Sequence, residues 1–157
     1  MQTARITALD VAEYLIWLAA EAGDGLTNLK LQKLLYYAQA WYIVLYGKKL
    51  FEEEFEAWVH GPVIRALYGY YKEFSYSPIT PSGRKPQRLP VQVVQHLKNI
   101  LQTFGGFSAY QLELMTHSEL PWQNARRGLA PDQSSRNIIS TTDMRIFYSG
   151  MLNGQKA

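Results

Sequence analysis

The sequence predicts a mainly α-helical fold, a compact helical domain around a central buried helix with one or two short β-strands, and three observations carry that prediction. Apolar residues recur at helical spacing through most of the chain, as on the face formed by Leu31, Leu34, Leu35, Ala38, Tyr42 and Leu45. The same stretch stays apolar nearly all round from Tyr36 to Tyr46, which requires other elements to surround it. Period-two alternation is brief: Phe55, Ala57 and Val59 alternate with Glu56, Trp58 and His60, and Asn137 to Ile139 is the candidate for a second strand.

Each element follows from its local chemistry. Thr7 and Asp10 have capping-box spacing, and Leu9, Ala12, Leu15, Ile16 and Ala19 then mark a first helix that stops at Gly23. Gly23-Asp24-Gly25 is a turn, Thr27 caps the central helix and Gly47 closes it. A second, narrower face of that helix carries Lys30, Lys33, Tyr37 and Trp41. After the strand, His60-Gly61-Pro62 breaks the pattern, and Pro62 suits the first position of a third helix facing inward with Ile64, Leu67, Tyr71 and Phe74. Residues 75–90, with four prolines and Arg84, Lys85 and Arg88, form a long basic loop.

Val93, Val94, Leu97, Ile100, Leu101 and Phe104 give a fourth helix ending at Gly105-Gly106. Ser108 and Gln111 form another capping box, opening a short helix with Leu112 and Met115 inward. Pro121 begins one or two helical turns holding Trp122, Arg126 and Arg127, closed by Gly128. Ser140 and Asp143 cap a last helix with Met144, Phe147, Tyr148 and Met151 on one face. Residues 1–152 read as one domain and 153–157 as a frayed tail.

Composition narrows the function classes. A chain of 157 residues buries about 70% of its unfolded surface around one core. Its formal charge of +3 and isoelectric point near 9.1 fall short of the clustered basic stripe of a dedicated nucleic-acid binder. The absence of cysteine excludes disulfides, thiol chemistry and thiolate metal sites. His60, His96 and His117 do not stand at ligand spacing, so neither metal nor cofactor is implied. None of the common phosphate-loop, dinucleotide, serine-hydrolase or zinc-protease signatures occurs, and the chain reads as a non-enzyme. Asp10 and Glu13 interrupt the N-terminal apolar run and no stretch approaches about 18 apolar residues, which argues against a signal peptide and a membrane span and for the cytoplasm.

The residue types left over are those of a binding surface. Lys30, Lys33, Tyr37 and Trp41 share a helix face, and broad rings desolvate well at little rotamer cost. Trp41, Trp58 and Trp122 also suit a core. Glu52, Glu53, Glu54 and Glu56 read as a solvated acidic face. His60 beside Gly61-Pro62 suits a bond to nearby backbone better than general-base work. Arg84, Lys85, Arg88, Arg126 and Arg127 are the residues a nucleic-acid contact would use.

Lys30 to Trp41 (KLQKLLYYAQAW), Gly47 to Phe51 (GKKLF), Phe55 to Val63 (FEAWVHGPV) and Leu114 to Arg126 (LMTHSELPWQNAR) together resemble the Panacea, or SocA-like, antitoxin domain, and the resemblance covers nearly the whole chain. It implies a small prokaryotic or phage protein that acts as the antitoxin of a two-gene pair. Such a protein would neutralise a cognate toxin, encoded by the adjacent gene, through direct contact. It also implies, as a second mode, an adaptor that hands the toxin to an AAA+ protease such as ClpXP. The family's motifs carry over onto Lys30, Leu31, Lys33, Leu34, Tyr36 and Tyr37, onto Trp58, Gly61, Pro62 and Val63, and onto Pro121 and Trp122, most of them scaffold. With the resemblance, the expected toxin-contacting residues are Lys30, Lys33, Tyr37, Trp41, Glu52, Glu54, His60 and Arg65. Some members carry an added N-terminal DNA-binding or other domain; the chain begins one short segment before its first helix, so the resemblance leaves autoregulation open.

Overall fold

The computed structural model of the protein describes residues 5–156, with side chains described through residue 154. Helix α1 (Ala8–Glu21) leads into α2 (Asn28–Tyr46), followed by strands β1 (Glu56–Trp58) and β2 (Gly61–Val63). Then come α3 (Arg65–Tyr70) with a 3-10 turn over Lys72–Phe74, α4 (Val91–Phe104), α5 (Ala109–His117), α6 (Leu120–Ala125) and α7 (Thr141–Lys156).

Helix α2 is the central strut. Thr27 Oγ1 accepts the Lys30 N–H at 3.3 Å, and Gly47 ends the helix in the left-handed region at φ 72°. Leu31, Leu34, Leu35, Tyr36, Ala38 and Ala40 are wholly buried, and α1, α3, α4, α5, α7 and β2 all pack against the helix. Its last turn departs from the expectation. Leu45 is 52% exposed and residues 45–49 all face solvent, so the buried face of the helix ends at Ile43.

Two buried glutamines of α2 hold chain that lacks regular partners. Gln39 accepts the Leu50 N–H at 2.7 Å and donates to Phe51 O at 2.6 Å, so one amide satisfies two backbone groups of the segment before β1. Gln32 Oε1 accepts the Ile64 N–H at 2.9 Å just before α3, and its Nε2 donates to Asn28 Oδ1 at 3.3 Å. Asn28 in turn donates to Tyr68 O at 3.0 Å. These bonds fix the hairpin and α3 to the strut.

Pro62 corrects the sequence reading: it lies in β2, and α3 starts only at Arg65. The antiparallel register sets Ala57 opposite Pro62. Ala57 N–H bonds Asn137 O at 2.8 Å on the other side, so this pair exchanges no ladder bond and the missing proline donor costs nothing. Residues 137–139 do extend the hairpin, through an isolated bridge between Glu56 and Ile138 and the Ile139 N–H to Phe55 O bond of 2.8 Å.

The capping boxes at Thr7/Asp10 and Ser108/Gln111 are both complete. Ser140 Oγ accepts the Asp143 N–H at 3.2 Å at the start of α7. Pro121 takes the second rather than the first position of α6. Helix α7 continues to Lys156, beyond the Asn153 at which the sequence reading began a tail.

Candidate functional site

The motif segments converge on a buried polar hub beneath the hairpin. Lys33, 1% exposed, donates from Nζ to Pro62 O at 3.2 Å. Gly61 sits above it at φ 99°, where a Cβ would stand 2.7 Å from Lys33 Cε and 3.0 Å from Thr116 Oγ1. Only glycine lets β2 approach that closely. Burial pushes the Lys33 amine down to about 7, against the opposing pull of the Glu113 carboxylate.

One turn further along α2, Tyr37 donates to Glu119 Oε1 at 2.8 Å, and Tyr148 of α7 donates to the same oxygen at 2.7 Å. The Tyr148 and Tyr36 hydroxyls lie 3.1 Å apart, and the Tyr37 ring stacks on Phe104 at 4.4 Å. Burial raises all three phenols above their ordinary value. It raises the Glu119 carboxyl too, while the two tyrosine donors pull the other way. The hub thereby ties α2, α6 and α7 through one carboxylate.

A second knot joins the hairpin to α6. Trp122 Nε1 donates to Trp58 O at 2.8 Å. Arg126, 2% exposed, lies 4.7 Å over the Trp122 ring, and it donates to Ala57 O at 2.8 Å, to Ala130 O at 2.8 Å and to Gln133 O. Its charge is spent on backbone carbonyls, which removes Arg126 from the basic residues read as nucleic-acid contacts. His117 stacks on Trp122 at 4.0 Å, and burial lowers its pKa.

The expected contact residues therefore scatter. Lys33 and Tyr37 are interior, because Pro62 O and Glu119 claim their polar ends. Lys30 is half-buried, with Nζ on Gly105 O at 2.6 Å at the C-terminus of α4, and Trp41 is half-buried with its ring 5.6 Å from that of Tyr148. The acidic run does not make one patch. Glu53 accepts the Ala8 N–H at 3.0 Å, Glu56 pairs with Arg65 at 3.3 Å and accepts Trp58 Nε1 at 2.9 Å, and Glu52 lies 3.7 Å from Lys49. Glu54, Glu52, His60 and Arg65 are exposed, and His60 Nδ1 sits 3.0 Å from Glu113 Oε1, a side chain rather than backbone. Leu31, Leu34, Tyr36, Gly61, Pro62, Val63, Pro121 and Trp122 are buried and Trp58 half-buried.

The surface that sequence reasoning missed is the outer face of α5. Tyr110 is 65% exposed and Leu114 47%, one turn apart on the same face, with Phe107 at 39% just before the helix. Their spacing of three and four was visible, but Leu112 and Met115 had already supplied an inward face, so a second apolar face was the overlooked signal. Among the described residues no cluster of His, Asp and Glu could hold a metal ion, and no helix is long and apolar enough to cross a membrane.

Residues 31–123 match the family model described as Antitoxin SocA-like, Panacea domain. Antitoxin SocA of Caulobacter vibrioides (strain NA1000 / CB15N) is 30% identical over 135 residues, covering 78% of this chain and 72% of that protein. No solved structure matches the chain. The matched segment runs from the first turn of α2 through the hairpin into α6, elements that build the hub together with Tyr148 of α7 beyond it, and the chain belongs to the SocA-like antitoxin family through its Panacea domain.

Proposed function

We propose that this protein is the antitoxin of a toxin–antitoxin pair and neutralises its toxin by direct protein contact, with the outer face of α5 as the docking surface. The observation that carries the reading is a division of labour. Most residues onto which the family motifs carry over face inward, as Lys33 on Pro62 O and Trp122 on Trp58 O do, whereas Tyr110 and Leu114 form an exposed apolar pair on a helix whose other side is anchored to α2 and β2. Aromatic and aliphatic anchors of this kind dominate interface energetics, and His60 and Glu113 beside them supply a polar rim.

Co-expression with the product of the neighbouring gene tests it. Rescue of growth and co-purification are expected for the parent. Tyr110→Asp and Leu114→Asp should each weaken the complex by about 2 kcal/mol or more, roughly thirtyfold, with an unchanged melting temperature. Rescue with no isolable complex would overturn direct contact, and full affinity in both variants would move the docking surface elsewhere. Rescue that vanishes in a host lacking the AAA+ protease would reassign the protein as an adaptor.

A further inference from the structure

A cleft of about 770 Å³ lies between the N-terminal ends of α1 and α4 and the turn after α2, away from the hub and from the α5 face. Its size falls within the range of small-ligand sites. Four exposed cations from three separate segments ring it: Arg5, Lys48, Lys49 and Arg88. Among the described residues two carboxylates line it, and both are engaged. Asp10 Oδ2 accepts the Thr7 N–H at 3.0 Å, and Glu52 lies 3.7 Å from Lys49 Nζ. Among the described residues no carboxylate lies within ion-pair distance of Arg5, Lys48 or Arg88.

Three unpaired like charges around one opening repel each other, and a bound anion relieves that repulsion. The neutral donors agree. Gln92 Nε2 donates to Tyr42 OH at 3.1 Å, which leaves the phenol proton free for another acceptor. Helix α4 begins at the cleft with Pro90, which offers no capping side chain, so its first-turn N–H groups add to the positive field. Phosphate suits this arrangement better than carboxylate, because it carries more charge and accepts from several directions at once. Leu50, Phe51 and Leu89 supply an apolar floor next to the cations.

We propose that this cleft binds a small phosphorylated ligand of the nucleotide class, with Arg5, Lys48 and Arg88 holding the phosphates and the floor taking the ring. The assignment stands apart from toxin contact, and its failure leaves that reading untouched. Titration calorimetry of the full chain with ATP, and with inorganic pyrophosphate as a phosphate-only probe, tests it. ATP should bind saturably, more weakly at higher salt, and Lys48→Gln and Arg88→Gln should each weaken it about tenfold. Arg84→Gln removes the same charge outside the cleft and should leave ATP affinity unchanged. Pyrophosphate should bind less tightly, since it leaves the floor empty. Absence of saturable ATP binding, or equal losses in Arg84→Gln, overturns the site; equal affinity for pyrophosphate overturns the nucleotide class. A single-stranded oligonucleotide that binds through Lys48 and Arg88 where ATP does not would assign the cleft to a nucleic-acid backbone instead.

Discussion

At Gly61 a single missing Cβ permits the approach of β2 to Lys33 and Thr116, and the backbone there lies at φ 99°, which side chains rarely adopt. Gly61→Ala meets both obstacles at once and should destabilise the fold by about 2 kcal/mol or more. Gly69 in α3 provides the contrast, since nothing lies within 4 Å of its Cβ position. Gly69→Ala should stabilise by roughly 0.5–1 kcal/mol through helix propensity. Urea midpoints of the two variants should move in opposite directions; a Gly61→Ala midpoint equal to that of the parent would show that the hairpin yields more freely than this packing implies.

Helix α7 is joined to the body through one hydroxyl as well as through its apolar face. Tyr148 donates to a carboxylate that is itself buried, so Tyr148→Phe leaves Glu119 with Tyr37 as its remaining donor while keeping the ring contacts with Tyr36 and Trp41. Losing a bond to a buried acceptor of this kind costs about 1–3 kcal/mol. Chemical denaturation should register that loss with little change in helix content at low denaturant. A variant as stable as the parent would mean that water or Tyr36 replaces the missing donor. The hairpin depends on neighbours in a similar way, with Trp122 and Arg126 of the α6 region holding the carbonyls of Trp58 and Ala57.

Across the whole molecule the buried ionisable groups shape stability against pH. Lys33 has a folded pKa of about 7 against an ordinary 10.5, so between those values the unfolded chain binds the extra proton. Its contribution therefore rises with pH through that window, by at most about 1.4 kcal/mol per pH unit. The raised phenols of Tyr36, Tyr37 and Tyr148 act in the opposite sense above their ordinary 10.0, where the unfolded chain deprotonates first and stability falls. Lys33→Met keeps the aliphatic stem and removes the titration. Its urea midpoint should vary less between pH 7 and 10 than that of the parent. An unchanged slope would show that the Lys33 amine stays charged in the folded state.

What the sequence determined by itself was most of what closes within one turn of helix, the proline-marked starts at Pro62 and Pro121 excepted. The caps at Thr7, Thr27, Ser108 and Ser140, the stop at Gly47 and the inward faces of α1 and α4 are local chemistry, and they stand where the spacing puts them. The motif residues were legible in the same sense, as a family resemblance carried by their order. Their roles were not. Lys33 and Tyr37 share a helix face with Lys30 and Trp41, and nothing local distinguishes a buried member of that row from a half-buried one. The decision belongs to Pro62 O and to Glu119, the latter 82 residues away from Tyr37. Pro62 read as a helix start because its strand partner, Ala57, precedes it across a turn that spacing rules do not pair. Arg126 read as a surface cation until three backbone carbonyls enclosed it. Burial is a sum over partners distant in the chain, so which polar groups turn inward, and which apolar face of α5 stays outside, was decided by the tertiary structure alone.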